Sequence, residues 1–462
     1  MKRFALKYLE EWLAAKQRKP LILRGARQVG KTYTVRQLAE AAQIQLIEVN
    51  FEKQPQLSSL FTSNNPQEIL TNLAASFSIN PNPSNSLLFL DEIQTKPEIL
   101  AKLRWFAEDM PELAVIAAGS LLDFALEEAT FSMPVGRVTY MYMNPLSFHE
   151  YLLATNHQPL FNLIQDYSLD NDLPEAIHLQ LTDLFKEYLI IGGMPAAVNS
   201  WRNQRSLLDV QRVHIDLLTS YRDDFTKYRG RLSIDRLDDI MSAIPRLLGN
   251  KFIYSQVNKE VRAAPLKQAL QLLNQARVCQ KVHGCHGNGV PLLSETNPKN
   301  QKVVFLDTGL ALSQLGLKLH GIQMENDINT INSGAISEQV VGQLLQTIEP
   351  FYTEPFLCYW TRESKNSSAE IDFLLQHENK VIPIEVKSGK TGTLKSLHLF
   401  MQLKGLKVAI RINSDKPSST PVHAQTNSGK ADYQLLSIPF YMTEQIHRLL
   451  NQAFSSSTPS SP

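Results

Sequence analysis

Cysteine is scarce in this sequence. Only Cys279, Cys285 and Cys358 occur among 462 residues. Three cysteines cannot build a disulfide framework in a chain of this length, which excludes the small disulfide-stapled class and favours a reducing compartment. His283 and His286 lie near two of them, but this spacing matches none of the usual zinc-finger patterns, so we expect no zinc site there.

Long apolar runs are also missing. The stretch LAVIAAGSLL is among the longest and falls well short of the ~18 residues that a membrane-spanning helix needs. The first 20 residues carry acidic side chains where a signal peptide needs an apolar run, so they predict an amphipathic helix. These features predict a cytoplasmic protein that does not enter a membrane.

No excess of charge of either sign marks the whole chain. The formal net charge is +1, which excludes a protein-wide attraction to nucleic acid. Residues 201–290 nevertheless hold 15 Lys and Arg against 8 Asp and Glu, a local balance of +7, and this segment predicts an acidic partner. The length predicts roughly three domains.

The sharpest motif follows a short apolar run near the amino end. GARQVGKT satisfies the pattern G-x-x-x-x-G-K-[ST] and precedes a helical pattern, as in a phosphate-binding loop. Such a loop presents backbone N–H groups to phosphates, while its lysine reaches the β- and γ-phosphates and its hydroxyl ligates Mg²⁺. The motif therefore predicts binding of ATP with Mg²⁺. The predicted nucleotide-binding residues are Gly25, Ala26, Arg27, Gln28, Val29, Gly30, Lys31 and Thr32.

A second element supports the loop. Leu87 to Leu90 form a continuous apolar run, which is typical of a buried parallel strand, and Asp91 and Glu92 follow it directly. The carboxyl ends of such strands are where open α/β sheets bind ligands. We expect Asp91 to hold Mg²⁺ through water, together with Thr32, and Glu92 to orient and polarise the hydrolytic water.

Two further polar residues fall next to predicted strands. Ser120 ends the run ELAVIAAGS, where it could sense the γ-phosphate or, equally, cap the helical pattern that follows. Arg137 precedes another strand and is a candidate contact for the γ-phosphate, in its own chain or from a neighbouring subunit, against the alternative of a solvated surface arginine. The neighbouring-subunit geometry requires an oligomer.

The middle of the chain predicts helices and then a helix-turn-helix pattern. Gly192, Gly193 and Pro195 predict a turn inside a mostly helical segment. Beyond it, residues 251–293 predict a short helix, a turn, a longer helix and a hairpin, as in a winged helix-turn-helix. In a DNA-binding version Arg262 and Lys267 would enter the major groove. The same fold serves elsewhere as a protein-docking or lid module.

A charged hairpin lies near the carboxyl end. In EIDFLLQHENKVIPIEVKSGK, the period-two alternation of strands can bring Asp372, Glu385 and Lys387 together. Two carboxylates and a lysine could hold a divalent cation and position an attacking water. The alternative is a solvated sheet face, which antiparallel sheets commonly have.

Several of these motifs occur together in a known family. GARQVGKT, LLFLDEIQ, AAGS, GRV and the later IIGGMPAAV resemble predicted prokaryotic ATPases of the AAA+ superfamily that carry a C-terminal region of unassigned role. The resemblance covers nearly the whole chain. It implies an AAA-type core with the aspartate–glutamate pair at Asp91 and Glu92 and a polar sensor at Ser120, and it supports the winged helix.

A second resemblance concerns the hairpin. Glu338, on a predicted amphipathic helix, together with Asp372, Glu385 and Lys387 resembles the PD-(D/E)xK restriction-endonuclease-like fold, which can retain binding without cleavage. The predicted fold class is α/β: a P-loop NTPase parallel sheet, a helical and winged-helix region, and a C-terminal α/β restriction-endonuclease-like domain. The predicted domains are an ATPase domain (1–155), a helical lid or connector (156–235), a winged helix (236–320), a nuclease-like domain (330–445) and a disordered tail (446–462).

Two functions follow from these predictions. The first is an ATPase whose nucleotide cycle moves a winged-helix and nuclease-like region that engages duplex DNA, with a second divalent cation at the C-terminal site. The second is a non-nucleolytic, ATP-dependent switch that binds a protein partner. DNA affinity that weakens steeply with salt distinguishes the first from the second.

Overall fold

The computed structural model of the protein divides the chain into two units. The first comprises residues 1–145, 271–278 and 350–354, and the second comprises 146–270, 279–349 and 355–462. The described residues are 1–120, 122, 134–225, 233–319, 333–364, 367–389, 393–426 and 429–456.

Short apolar runs form the strands of the first unit. All strand pairs in this sheet are parallel, and the strand order is β2-β3-β4-β1-β5. The two strands β3 and β4 are buried along their whole length, because helices cover both faces of a parallel sheet. The strands are β1 Leu21–Arg24, β2 Gln45–Asn50, β3 Ser86–Asp91, β4 Ala114–Ala118 and β5 Thr139–Tyr142.

Helices of the first unit pack their apolar stripes on this sheet. Leu88 and Leu90 of β3 share one buried cluster with Phe106 and Leu73 from two of the helices. Helix Pro66–Phe77 begins at Asn65, whose side chain accepts from the Gln67 N–H. The helices are Phe4–Ala14, Lys31–Ala41, Pro66–Phe77 and Leu103–Asp109, with 3₁₀ turns at Pro55–Phe61, Pro83–Asn85, Ile93–Thr95 and Pro97–Lys102.

The second unit begins with a series of helices. Gly192, with φ 74°, ends one helix, and a Cβ there would lie 2.1 Å from Asp307 Oδ1, so only glycine fits the turn. Asp307 accepts from the Gly193 N–H at 2.6 Å. The helices are Phe148–Ala154, Gln158–Asp166, Glu175–Ile191, Pro195–Gln204, Leu207–Asp224, Ile234–Ala243, Tyr254–Val257, Ala263–Gln275 (shared with the first unit), Thr308–Gln314, Ser333–Leu345, Lys395–Lys404 and Ile446–Ser456, with 3₁₀ turns at Pro245–Leu247, Leu292–Glu295 and Phe440–Gln445.

An eight-stranded mixed sheet completes the second unit. Its order is β12-β13-β11-β10-β9-β8-β6-β7, with parallel pairs at β10–β11, β11–β13 and β6–β8. The predicted fold class is confirmed as an α/β chain with a parallel P-loop-type sheet, a helical region and a C-terminal mixed sheet. The strands are β6 Cys279–Cys285, β7 Thr296–Phe305, β8 Leu357–Ser364, β9 Ser367–His377, β10 Lys380–Val386, β11 Val408–Asn413, β12 Ser418–Thr426 and β13 Gly429–Pro439.

Two domain boundaries differ from the sequence-based expectation. The predicted order of short helix, longer helix and hairpin is present, but the hairpin β6–β7 is not a free wing, since β6 pairs with β8 in the same sheet as β9 and β10. The segments 236–320 and 330–445 therefore share one sheet.

The predicted disordered tail is wrong for its first part. Residues 446–456 form a helix, in which Ile446, Leu449 and Leu450 are fully buried. Their i, i+3, i+4 spacing gives the helix one apolar stripe, which the serine-rich end of the sequence obscured. Residues 457–462 lie outside the described part of the chain. No helix among the described residues is long and apolar enough to cross a membrane.

Candidate functional site

Two glycines set the backbone conformation of the phosphate loop, which lies between β1 and helix Lys31–Ala41. Gly25 has φ 151° and a Cβ there would lie 2.3 Å from the Met143 carbonyl oxygen, while Gly30 has φ 97°. Gly25 is required by the close approach of the Met143 backbone, and Gly30 is favoured by its left-handed conformation. Arg3 fastens the loop from outside by donating to the Val29 carbonyl at 2.5 Å.

Lys31 lies inside this loop with its ammonium turned onto the backbone. Its Nζ donates to the carbonyls of Gly25 at 2.9 Å and Ala26 at 2.8 Å, and the residue is 8% exposed. Burial lowers the pKa of Lys31 to about 8, and the nearby carboxylates of Glu92 and Asp91 only partly oppose this. A buried ammonium that donates to neutral carbonyls is well suited to donate to phosphate oxygens instead.

The two predicted Mg²⁺ ligands lie side by side. Thr32 Oγ1 donates to Asp91 Oδ2 at 3.1 Å, and Asn50 Nδ2 donates to the same oxygen at 3.1 Å. Burial raises the pKa of Asp91, and the neighbouring charge of Glu92 adds to the effect. Asn50 was not predicted from the sequence; its place becomes evident only from the parallel register of β2 and β3, which sets Asn50 opposite Asp91.

Glu92 follows β3 in the left-handed region, with φ 53°, which is uncommon for a residue with a side chain. Gln94 Nε2 donates to Glu92 Oε2. A Cβ on Gly119, at the end of β4, would lie 2.1 Å from Gln94 Oε1, so Gln94 fills the space between Glu92 and that strand end. Gln94 is a second residue that sequence reasoning missed.

Two further predicted residues of this unit, Ser120 and Arg27, lie near the carboxyl ends of the strands. Ser120 is buried just beyond the carboxyl end of β4, the edge that also carries Asp91. The sequence segment that it could cap, residues 121–130, lies almost entirely outside the described residues. Arg27 forms an ion pair with Glu52 at 3.9 Å.

The position of Arg137 contradicts one of its two predicted roles, the contact with the γ-phosphate of its own chain. It precedes the amino end of β5, which pairs in parallel with β1, whereas the phosphate loop follows the carboxyl end of β1. Its Nε lies 2.8 Å from Glu108 Oε1, and half of the side chain is exposed. A γ-phosphate contact within the same chain is therefore wrong, because the length of the sheet separates the two positions.

The second unit brings all four predicted nuclease-like residues into one charged cluster. Lys387 Nζ lies 2.6 Å from Glu385 Oε1, and Asp372 accepts from the Val386 N–H at 2.7 Å. Glu338, on helix Ser333–Leu345, interacts electrostatically with Asp372. Glu385 is 5% exposed, so the alternative of a solvated sheet face is wrong at this position.

A lysine that the sequence did not single out occupies the centre of this cluster. Lys302 Nζ, on β7, lies 2.7 Å from Glu338 Oε1 and 2.5 Å from Glu370 Oε1. It is 2% exposed and also lies 5.1 Å from the centre of the Tyr359 ring. The sequence did not indicate this role for Lys302, because the residue was assigned to the supposed wing, far along the chain from the hairpin of residues 370–390.

Burial dominates the protonation of this cluster. It raises the pKa of Glu338 to about 8, against the opposing charge of Lys302, and that of Glu385 to about 7, with Asp372 adding to the effect. Burial also raises the pKa of Asp372. Burial by itself would lower the pKa of Lys302, but the surrounding carboxylates together outweigh it and raise that pKa. In the described ranges, no three His, Cys, Asp or Glu side chains converge as a metal-binding group.

Comparisons with known proteins bear on these two units. The AAA domain family matches residues 17–152, and two families described as domains of unknown function, DUF8612 and DUF4143, match residues 182–320 and 333–429. The AAA match spans the phosphate loop and Asp91, so the first unit carries an ATPase-like P-loop domain, which confirms that prediction. No curated protein gives a significant match.

Solved structures give distant likenesses. A Walker-type ATPase of Pyrococcus abyssi aligns with 67% of this chain and 94% of its own, at 15% identity and a TM-score of 0.43. The Aeropyrum pernix ORC2 protein, in ADPNP and ADP complexes, aligns with 68% of this chain and 93% of its own at 13% identity and a TM-score of 0.33. Drosophila ORC bound to DNA aligns with 67% of this chain and 84% of its own at 17% identity and a TM-score of 0.26.

Proposed function

We propose that the first unit binds ATP with Mg²⁺ and hydrolyses it. The observation that carries this proposal is the 3.1 Å hydrogen bond between Thr32 Oγ1 and Asp91 Oδ2, because it sets both Mg²⁺-binding groups beside the lysine of the loop. With Mg²⁺ bound, the hydroxyl of Thr32 would ligate the ion and Asp91 would hold one of its waters. Lys31 leaves the loop carbonyls for the β- and γ-phosphates.

The hydrolytic step needs an oriented water. Glu92 accepts a proton from that water, Gln94 holds the Glu92 carboxylate in place, and Ser120 donates a hydrogen bond to the γ-phosphate. The carboxyl ends of β3 and β4 supply these side chains, which supports their action on one phosphate.

Replacement of Lys31 tests the proposal. Lys31→Ala should abolish ATP binding in a fluorescent-nucleotide assay and remove ATPase activity, since it deletes the phosphate contact. Lys7→Ala is the matched control, because the Lys7 side chain is 84% exposed on another helix of the unit. Equal ATP affinity in the Lys31 variant and the control would exclude the site.

Arg137 completes the site from a neighbouring subunit in this proposal. Its exposure and its position at the amino edge support contact with another chain rather than with its own nucleotide. Mixing Arg137→Ala chains with Lys31→Ala chains should restore part of the ATPase activity that each lacks alone. No recovery in an assembled mixture would exclude the role.

For the second unit we propose engagement of duplex DNA that depends on the nucleotide cycle. The support is the local balance of +7 over residues 201–290 and the exposed positions of Arg262 and Lys267. Each neutralised phosphate adds about −0.9 to the slope of log affinity against log salt, so Arg262→Ala with Lys267→Ala should flatten that slope by roughly 2 in the full chain. Lys430→Ala, an exposed lysine of β13, is the control. An unchanged slope would remove these two residues from a DNA interface.

The alternative is a non-nucleolytic ATP-dependent switch that binds a protein partner. The position of Lys302 favours it over a nuclease, because cleavage would require a divalent cation on Asp372 and Glu385 and the centre of the cluster already holds an ammonium. It predicts no Mg²⁺-dependent cleavage of duplex or single-stranded DNA, and it predicts partner binding that needs ATP and is insensitive to salt. Cleavage that is lost in Lys387→Ala would exclude it.

A further inference from the structure

A cavity lies in the second unit at the carboxyl ends of three neighbouring strands. Because β10, β11 and β13 pair in parallel, their carboxyl ends lie at one edge of the sheet. Residues at or just beyond these ends, Ser388, Asn413 and Pro439, line the cavity. It encloses about 780 Å³ of empty space, including the part that is open to solvent. The carboxyl ends of parallel strands are where α/β sheets commonly bind ligands, and a space of this size suits a small molecule.

Apolar side chains make up most of the lining. Phe185 and Leu189 come from helix Glu175–Ile191, and Phe440 comes from the 3₁₀ turn that follows β13. The rings of Phe185 and Phe440 are stacked, with their centroids 5.7 Å apart. These side chains cannot hydrogen-bond a polar ligand, so they favour a molecule with an apolar body.

Hydrogen bonds within the protein fix the polar part of the lining. His178 lies 2.8 Å from the Tyr441 hydroxyl through Nδ1 and 3.2 Å from the Ser414 carbonyl through Nε2. Asn413 Nδ2 donates to Asp415 Oδ2 at 2.6 Å. The wall formed by Tyr441, Ser414 and Asn413 is therefore held in place without a ligand, which lowers the entropy lost when a ligand binds.

A single lysine gives the cavity its charge. Lys186 is the one charged side chain among the described residues that line it. The Lys186 Nζ lies 3.0 Å from Asp183 Oδ1, but the Asp183 side chain is 73% exposed, so solvent screens this ion pair and weakens it. The ammonium can therefore exchange the Asp183 carboxylate for the anionic group of a ligand.

We propose that this cavity binds a small organic anion with an apolar body, such as a medium-chain carboxylate. Its anionic group contacts the Lys186 ammonium, and its apolar body packs against Phe185 and Leu189. None of the residues that we propose for ATP or duplex DNA lines the cavity, so this inference goes beyond the proposed function and does not rest on it.

The cavity is also distinct from the charged cluster of the same unit. Ile336 and Val340 are four residues apart, so they share the face of helix Ser333–Leu345 that lines the cavity. Glu338 lies between them in sequence and therefore on another face. Among the described residues that line the cavity there is no carboxylate of the cluster.

Titration of the full, nucleotide-free chain with octanoate tests the proposal. Octanoate carries a carboxylate on an apolar chain, and octanamide is its neutral counterpart. In calorimetry, octanoate should bind wild type at one site and about tenfold more tightly than octanamide, because its carboxylate contacts Lys186. Lys186→Met should weaken octanoate binding about tenfold and leave octanamide binding unchanged. Lys299→Met, an exposed lysine of β7, is the matched control and should behave as wild type.

Two further variants test the same contacts in other ways. Asp183→Asn should strengthen octanoate binding, because it removes the carboxylate that competes for Lys186. Leu189→Trp should abolish binding of both compounds, since the larger side chain fills the cavity. Octanoate should raise the unfolding temperature of wild type and of Asp183→Asn but not of Leu189→Trp.

Three results would each overturn the proposal. The first is the absence of saturable octanoate binding to wild type, and the second is equal octanoate affinity in wild type and Lys186→Met. The third is a Leu189→Trp chain that is folded and binds octanoate as wild type does. If Leu189→Trp does not fold, the opposite effects expected of Lys186→Met and Asp183→Asn still decide, because both changes are at partly exposed side chains.

Discussion

Replacing Lys31 with methionine should stabilise the nucleotide-free protein at neutral pH while abolishing ATP binding. The ammonium is buried and, within the described part of the chain, donates to two neutral carbonyls, those of Gly25 and Ala26. Its pKa is lowered from 10.5 to about 8, and at 1.36 kcal/mol per pH unit this disfavours the charged form by roughly 3 kcal/mol. Methionine is unbranched like lysine, lacks only the terminal ammonium position and carries no charge.

The expected gain is smaller than that figure because the two carbonyls lose their donors. Each loss costs about 1 kcal/mol, which leaves Lys31→Met about 1 kcal/mol more stable than wild type at pH 7. Because the folded-state pKa is lowered, the unfolded chain binds more protons between pH 8 and 10.5, and the stability of wild type rises across that window. The two stability curves should therefore cross between pH 8 and 10.5.

Urea unfolding of the full chain, followed at pH 7, 8.5 and 10, measures this difference. Lys7→Met is the control for loss of an exposed lysine and should stay within about 0.5 kcal/mol of wild type throughout. ATP with Mg²⁺ should stabilise wild type and the control but not Lys31→Met. A Lys31→Met chain that is less stable than wild type at pH 7, with the same dependence on pH, would refute the reasoning.

Three further predictions concern the same unit. Glu92→Gln should bind ATP normally and hydrolyse it about 10²- to 10⁴-fold more slowly, because it loses the base. Loss of ATP affinity instead would mean that Glu92 has a structural role. Glu40→Gln, on the exposed side of helix Lys31–Ala41, is the control. Gln94→Ala should lower kcat about tenfold at unchanged KM, since Glu92 loses its hydrogen bond; steady-state kinetics that match wild type would contradict the positioning role. Gly25→Ala should abolish ATP binding in an equilibrium assay, because the new Cβ would lie 2.3 Å from the Met143 oxygen and would displace the phosphate loop. Retained affinity would mean that the loop binds ATP in a different backbone conformation.

The two buried lysines show how one side chain serves opposite purposes. Lys31 donates to carbonyl oxygens, so burial is only partly compensated by the nearby carboxylates and its pKa falls. Lys302 donates to carboxylates, so its pKa rises despite comparable burial. The first ammonium is left with the capacity to take phosphate, whereas the second is already satisfied by the protein. This difference in partners is why we propose a ligand at one site and an internal counter-ion at the other.

The sequence alone was sufficient for the features that local pattern dictates. The phosphate loop needs two glycines, a lysine and a threonine at set spacing, and β3 needs an apolar run that ends in Asp91. Each of these two motifs spans fewer than about 15 residues, so each can be recognised from one continuous stretch of sequence. The hairpin β9–β10 is another such case, because the alternation of side chains and the turn at 378–379 are adjacent in the chain.

Tertiary structure decided everything that depends on which segments meet. Parallel pairing of β5 with β1 places Arg137 at the edge of the sheet opposite the phosphate loop, and the pairing of β6 with β8 places the supposed wing in the C-terminal mixed sheet. The same sheet brought Lys302 within reach of Glu338, 36 positions away, and Glu370, 68 positions away. Local periodicity specifies a strand but not its neighbours, since pairing is chosen by the burial of whole faces and by long-range charge compensation.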